Sequence, residues 1–242
     1  MQKFHYIGLK FYFWQAKQND AFRSSVCTET INKQKFMERY IFEKIKRIQA
    51  LAETGLHYAE NIFDRERYEE LQTICLELIE KITDVPIEKI RPVIIDNNGY
   101  KTPKVDVRAV VFNEKDEILM IKEKADGCWA LPGGWADIGY TARQVAEKEC
   151  FEEAGITVKA KRILAILDKT AQNMPPQFEY VYKIFILCEK QNDRLSTGSE
   201  TDDVAWFQED RLPELSAPRN LESQIQMMFE YHRRERTEVF FD

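Results

Sequence analysis

Histidine is scarce: only His5, His57 and His232 occur in 242 residues, far apart, so an H-E-x-x-H zinc site and a histidine-based triad both lack parts. The five cysteines, Cys27, Cys75, Cys128, Cys150 and Cys188, are odd in number and include no C-x-x-C pair. That argues against a disulfide framework or a zinc knuckle and points to a reducing, cytoplasmic setting. No apolar run approaches the ~20 residues of a membrane span. The aromatic start MQKFHYIGLKFYFWQAK is interrupted by Lys10 and followed by no clear cleavage site, so it does not read as a signal peptide. Excess positive charge is missing too. With 35 basic against 41 acidic residues the formal charge is −6, which leaves no general cationic field for a nucleic acid or an anionic membrane. A small anionic substrate would need a local device.

The length allows two units, each with its own core. Residues 1–36 read as an extension ahead of the first strong pattern, and 37–90 as an N-terminal helical region. From Met37 to about Ala59 the residues Ile41, Ile45, Ile48, Leu51 and Ala52 recur at three- and four-residue steps, which predicts an amphipathic helix. Asp64 is a candidate cap for a second helix whose Tyr68, Leu71, Cys75, Leu78 and Ile82 trace one stripe, ending before Pro86. This α-helical hairpin reads as a docking or dimerisation element without chemistry. Pro92, Asn97-Asn98-Gly99 and Pro103 mark 91–104 as a linker.

Residues 105–242 then form the second domain. DVRAVVF (Asp106–Phe112) and EILMIK (Glu117–Lys122) flank a polar turn as a β-hairpin would, and further strands are expected over 161–167, 180–188 and 204–207. Helices are expected at 141–154 and from Leu221 to about Arg234. Strands and helices mix without a βαβ rhythm, so the class is α+β with a mixed sheet.

The stretch LPGGWADIGYTARQVAEKECFEEAGI, Leu131 to Ile156, is the one that carries chemistry. A Pro-Gly-Gly bend lets backbone approach a ligand closely. Thr141 then caps a helix that Gly155 stops. Within it Glu149, Glu152 and Glu153 stand at i, i+3 and i+4, gathering three carboxylates into a narrow arc. Alone, this is either a solvated acidic face or a metal site. A bend whose carbonyl points at such a cluster offers the all-oxygen donor set that Mg²⁺ or Mn²⁺ prefers, and such ions neutralise a diphosphate and activate water.

With these residues in view, the segment resembles the Nudix box, G-x5-E-x7-R-E-U-x-E-E-x-G-U, where U is aliphatic. Gly134 opens it, Glu149-Cys150 match E-U with Cys150 a loose fit, Glu152 and Glu153 are the paired glutamates, and Gly155-Ile156 close it. Tyr140 stands where the pattern has glutamate, and Lys148 where it has arginine. The resemblance implies a Nudix-type α/β/α sandwich with a mixed β-sheet, preceded here by the helical hairpin. A helical region in front is similar to a subgroup acting on ADP-ribose, CDP-alcohols and related nucleotides. The implied activity is pyrophosphohydrolysis of a small nucleoside diphosphate linked to a second group, by a homodimer. Carried over residue by residue, Glu149 and Glu153 would ligate Mg²⁺ or Mn²⁺ directly, Glu152 would ligate or bridge, the Gly133 carbonyl would complete the set, and Lys148 would orient a glutamate. A later acidic residue would supply the general base, Glu200 ahead of Asp203. Arg108 is a candidate phosphate contact or a partner for a carboxylate, and Trp135 and Tyr180 are candidates for stacking on a base or for core positions. A Nudix-fold ligand sensor and an RNA 5′ pyrophosphohydrolase are the alternatives. The first tends to lose box glutamates that are present here, and the second sits poorly with the net negative charge.

Overall fold

The computed structural model describes residues 25–95 and 99–242. Residues 1–24 and the Asp96–Asn98 part of the expected linker lie outside them. The described chain forms two compact units. One runs to Thr102 and takes in Pro176–Phe178, and the other comprises Pro103–Pro175 and Glu179–Asp242.

The first unit holds three helices, α1 (Ser25–Tyr58), α2 (Ile62–Thr83) and α3 (Ile87–Ile94). The helix expected from Met37 therefore begins at least twelve positions earlier, at Ser25. Asn61, not Asp64, caps α2: its side chain accepts from Asp64 N at 2.8 Å, which places Asp64 in the first turn, where a negative charge suits the helix dipole. Residues expected to begin the linker instead finish α3, with Pro92 near its end.

The core stripes also differ from the expected ones. Phe42 and Ile45 on α1 share a core with Cys75, Leu76 and Ile79 on α2 and with Val85 and Ile90, the Phe178 ring is tilted against Phe42, and Ala52 and Leu56 of α1 are buried too. Of the two expected stripes only Ile45, Ala52 and Cys75 are buried; Ile41, Ile48, Leu51, Leu71 and Leu78 stay exposed. Each helix has two apolar stripes about one residue apart, and periodicity alone does not say which one turns inward.

The second unit contains two sheets. One is five-stranded in the order β4-β1-β6-β5-β8, from β1 (Lys104–Val111), β4 (Gly133–Trp135), β5 (Val158–Asp168), β6 (Val181–Lys190) and β8 (Phe240–Phe241). It is mixed: β1 runs parallel to β6 and antiparallel to β4, and β5 runs antiparallel to β6. The other has the order β3-β2-β7, from β2 (Ile118–Glu123), β3 (Trp129–Ala130) and β7 (Thr201–Phe207). The expected turn between β1 and β2 is formed, Asn113 N donating to Glu117 O at 3.0 Å, but the hairpin does not extend along the strands. The strands touch through a single bridge, Phe112 to Ile118, and then diverge into separate sheets.

Helix α4 (Ala142–Ala154) and helix α5 (Glu222–His232) cover opposite faces of these strands. Val107, Ala109, Leu119, Ile121 and Ile186 share a core with Val145, Ala146 and Cys150 of α4. Alternate residues, Val110, Ile118, Met120 and Phe185, share the other with Ile225, Met228 and Phe229 of α5. Covering both faces explains why β1, β2 and β6 are nearly continuous apolar runs. The arrangement is an α/β/α sandwich with a mixed sheet. Among the described residues no helix is long and apolar enough to cross a membrane.

Candidate active site

Helix α4 is locked at both ends. Thr141 and Gln144 form a reciprocal capping box, Thr141 N donating to Gln144 Oε1 at 2.9 Å. Gly155 takes φ 67°, and the helix's terminal carbonyls are met from outside: Ser196 N donates to Ala154 O at 3.0 Å and the Thr201 hydroxyl to Glu153 O at 2.9 Å. Val145, Ala146, Cys150 and Ala154 face the core, which turns the three glutamates of the last turn toward the glycine bend and the surface.

Burial grades these glutamates. Glu153 is 9% exposed, the Glu149 side chain 15% and the Glu152 side chain 54%. Glu153 Oε2 accepts the Gly133 amide at 2.8 Å. Glu149 lies beside Gly134, where an added Cβ would be only 3.4 Å from its carboxylate. Both inner carboxylates therefore converge on the Gly133-Gly134 bend. Lys148 spans Glu149 and the more exposed Glu152, Nζ donating to Glu152 at 2.8 Å and to Glu149 at 3.4 Å. Burial pushes the Glu153 carboxyl up to about 8, against the pull of Arg108 and the Gly133 N–H. Glu149 is also raised by burial, opposed by Lys148. The hydrogen bond to Glu152 holds the Lys148 ammonium above its usual range.

The bend has the shape it does because β1 approaches so closely. Gly133 pairs with Arg108 in the β1–β4 register and has φ 150°, and a Cβ there would meet Val107 O at 2.0 Å. Around it Leu131 N donates to Asn220 Oδ1 at 2.9 Å, Ala109 N to Pro132 O at 2.8 Å and Arg108 Nη1 to Leu131 O at 3.0 Å. Arg108 is itself buried and forked onto Asp106, Nε to Oδ1 at 2.8 Å and Nη2 to Oδ2 at 3.3 Å, so much of its donor set is spent inside the protein. The buried Lys183 ammonium bonds the same carboxylate. Burial alone would raise the Asp106 carboxyl, but the charges of Arg108 and Lys183 hold it below its usual range.

A further buried carboxylate, Glu123 at the end of β2, is raised by burial and opposed by Arg219, which it meets at 2.6 Å. It feels Arg108 and Glu200 as well, and its charge reaches Glu153. Neither Glu123 nor the Asp106–Lys183 pair was singled out from the sequence. The only signal at Asp106 and Lys183 is a charge between apolar strand residues, and at Glu123 a charge in the Lys122-Glu123-Lys124 run at a strand end, the same signals that solvent-facing positions give.

Of the expected base candidates, Glu200 lies just ahead of β7, its carbonyl accepting from Lys124 N at 3.0 Å and its charge felt at Glu123. Asp203 is exposed on β7 opposite Lys122, its carboxylate accepting from Val204 N at 2.8 Å. Trp135 is half-exposed beside Gly134, with Lys104 Nζ 5.3 Å from its ring centroid. Tyr180 is partly buried, its carbonyl accepting from Lys104 N. Among the described residues no three His, Cys, Asp or Glu side chains are drawn into a ready-made metal cage. Glu152, held outward by Lys148, is the member of the expected set that stands apart.

The arrangement is that of a hydrolase family. A family model described as "UDP-X-like, N-terminal oligomerisation domain" matches residues 40–94, and a NUDIX domain model matches 102–228, more than half of the chain. A Bacillus subtilis protein named "Putative ADP-ribose pyrophosphatase YjhB" is 42% identical over 200 residues, covering 83% of this chain and 96% of that protein. The ADP-ribose pyrophosphatase of Methanocaldococcus jannaschii is 31% identical over 48% of this chain and 69% of its own length. A crystal structure of a UDP-X diphosphatase is 30% identical, with a TM-score of 0.54 over 84% of this chain and 98% of that one. An ADP-ribose pyrophosphatase from Streptococcus suis, 40% identical, superposes with a TM-score of 0.53 over 58% of this chain and all of its own. The chain belongs to the Nudix hydrolase family.

Proposed function

We propose that the protein hydrolyses a nucleoside diphosphate linked to a second group, of the ADP-ribose or UDP-linked kind, to a nucleoside monophosphate and a phosphorylated remainder. The observation that carries this reading is the convergence of Glu149 and Glu153 on the Gly133-Gly134 bend. Two carboxylates crowded together, both with raised proton affinity, form a donor set that a hard divalent cation fits and that protons occupy in its place. Glu149, Glu153 and the Gly133 carbonyl would hold Mg²⁺ or Mn²⁺, with Glu152 joining as it exchanges Lys148 for the ion. When bound, the ion neutralises diphosphate charge and lowers the pKa of a coordinated water.

The chain's own residues supply the rest. Lys148, bonded to both carboxylates, orients Glu149 and Glu152. Glu200 takes a proton as water oxygen bonds to one phosphorus, the bridging P–O bond breaks and the bridging oxygen leaves with the other phosphate; Asp203 is the second candidate for this role. Trp135, exposed beside the bend, offers a ring face to a nucleobase. Tyr180 is the weaker candidate for this contact, and Arg108 lends its charge to the diphosphate from within the fold.

The working form is a homodimer, and a second copy fits the outward stripes of the helical unit. Ile41, Ile48 and Leu51 on α1 and Leu71, Ile74 and Leu78 on α2 are large apolar side chains left exposed in the single chain, within a segment that matches an oligomerisation domain. The four described cysteines are free thiols, which suits the cytoplasm.

ADP-ribose, CDP-choline and a UDP-sugar, each incubated with enzyme and Mg²⁺ and followed by phosphate release with added phosphatase, provide the test. Turnover of at least one, abolished by chelation, is expected. Tight binding with no product from any of them would make the protein a ligand sensor and overturn the reading.

A further inference from the structure

Two strands with apolar neighbours carry charges at facing positions. Asp106 on β1 and Lys183 on β6 are register partners, and the Lys183 side chain is fully buried. The Lys183 ammonium bonds Asp106 Oδ2, and the same carboxylate grips Arg108 through both oxygens. Arg108 passes the constraint on to Leu131 O. Two residues later the Gly133 amide meets Glu153. A run of contacts therefore leads from Lys183, near the start of β6, to the peptide that opens the glycine bend.

A buried ion pair is a poor device for stability alone, since apolar side chains of similar volume often serve as well or better. Its use here is geometric. In an i, i+2 pair on one strand the carboxylate plane turns about χ2 and the arginine swings on its flexible stem. A third partner on the neighbouring strand decides which way that plane faces. The plane sets the guanidinium fork, and the fork sets the direction of Nη1.

We propose that Lys183 is a positioning residue for hydrolysis: by pinning the Asp106 carboxylate it aims Arg108 Nη1 at the Leu131 carbonyl, and so holds the Gly133 amide against Glu153. The relevance to hydrolysis rests on the function proposed above, but the placing of the bend is measurable with neither metal nor substrate.

The full chain is compared with Lys183→Met, Asp106→Asn and the double variant. In Lys183→Met, metal-free amide exchange at Gly133 and Gly134 is expected to quicken about tenfold while that of β5 stays unchanged. With Mg²⁺ and the substrate found by the panel, kcat should fall about tenfold to a hundredfold, as small misplacements near reacting groups do, with KM within about twofold. Asp106→Asn should behave alike, and the double variant should be no worse than either single one, because the three side chains act as a unit. Unchanged exchange at the bend in Lys183→Met overturns the proposal. So does exchange that quickens equally throughout the domain, or losses that multiply in the double variant. Should Lys183→Met fail to fold, Asp106→Asn decides by the same comparison. Failure of the hydrolytic reading looks different: no substrate is turned over, yet the exchange comparison still stands.

Discussion

Gly133 tolerates no side chain, and the reason is specific. An added Cβ would sit 2.0 Å from Val107 O, at a φ of 150° that L-residues rarely adopt. Gly133→Ala is therefore expected to cost about 1–3 kcal/mol of stability, measured by urea unfolding, and to lower turnover beyond what that loss explains. Lys169 makes a different prediction. Its ammonium is buried against Pro218 O at 2.8 Å, and burial brings it from 10.5 down to about 8. Between those values the unfolded chain binds a proton that the folded one has released, so stability rises with pH across that window, is lost as pH falls from 10.5 to about 8, and changes no further from this group below that. Wild type should gain up to about 3 kcal/mol relative to Lys169→Met from pH 8 to 10.5 in urea titrations. An equal response in the two proteins would remove the assignment. At this scale legibility was uneven. Glu149, Glu152 and Glu153 could be read because a motif of fixed spacing ties residue type to position. Asp106, Glu123 and Lys183 could not, because a charge in a strand looks the same whether it faces water or a buried partner, and only the second layer of structure decides.

The elements were easier to read than their partners. α4 and its two caps follow from Thr141, Gln144 and Gly155, all local signals. The strands β1, β2, β5, β6 and β7 were legible from apolar patterning, whereas the two-residue strands β3 and β8 are too short to show a period. Pairing was legible only at the turn that joins β1 to β2, where Phe112 meets Ile118. A polar turn between two apolar runs suggests a hairpin, but Gly133–Trp135 and Val181–Lys190 compete for β1 and win. The helical unit gives the same lesson through stripes that are only partly turned inward, and a test of the exposed part follows. Placing charge at Ile48 and Leu71 together, as Ile48→Glu/Leu71→Glu, is expected to halve the mass seen by light scattering while leaving circular dichroism unchanged, since each buried aliphatic side chain contributes about 1.5–3 kcal/mol. A dimer that persists in this variant would place the interface elsewhere.

At the scale of the whole molecule the chain divides its labour between a helical unit and a sandwich. The division falls between Thr102 and Pro103, inside the stretch that prolines and an Asn-Asn-Gly turn mark as a linker. The return of Pro176–Phe178 to the helical unit has no local signature; it depends on the Phe178 ring reaching Phe42, a contact across more than a hundred residues. Family membership and fold are settled at this scale, while the identity of the substrate depends on side chains around the bend. The account stands on the charge of Glu153 at that bend. Its most direct test is nucleoside monophosphate release from ADP-ribose, or from whichever panel compound is turned over, in Mg²⁺ by wild type and Glu153→Gln of equal thermal stability. A fall in kcat of about a hundredfold or more is expected, because the substitution removes a charge that would hold the ion on which the breaking diphosphate bond depends. Turnover within about threefold of wild type would contradict the account.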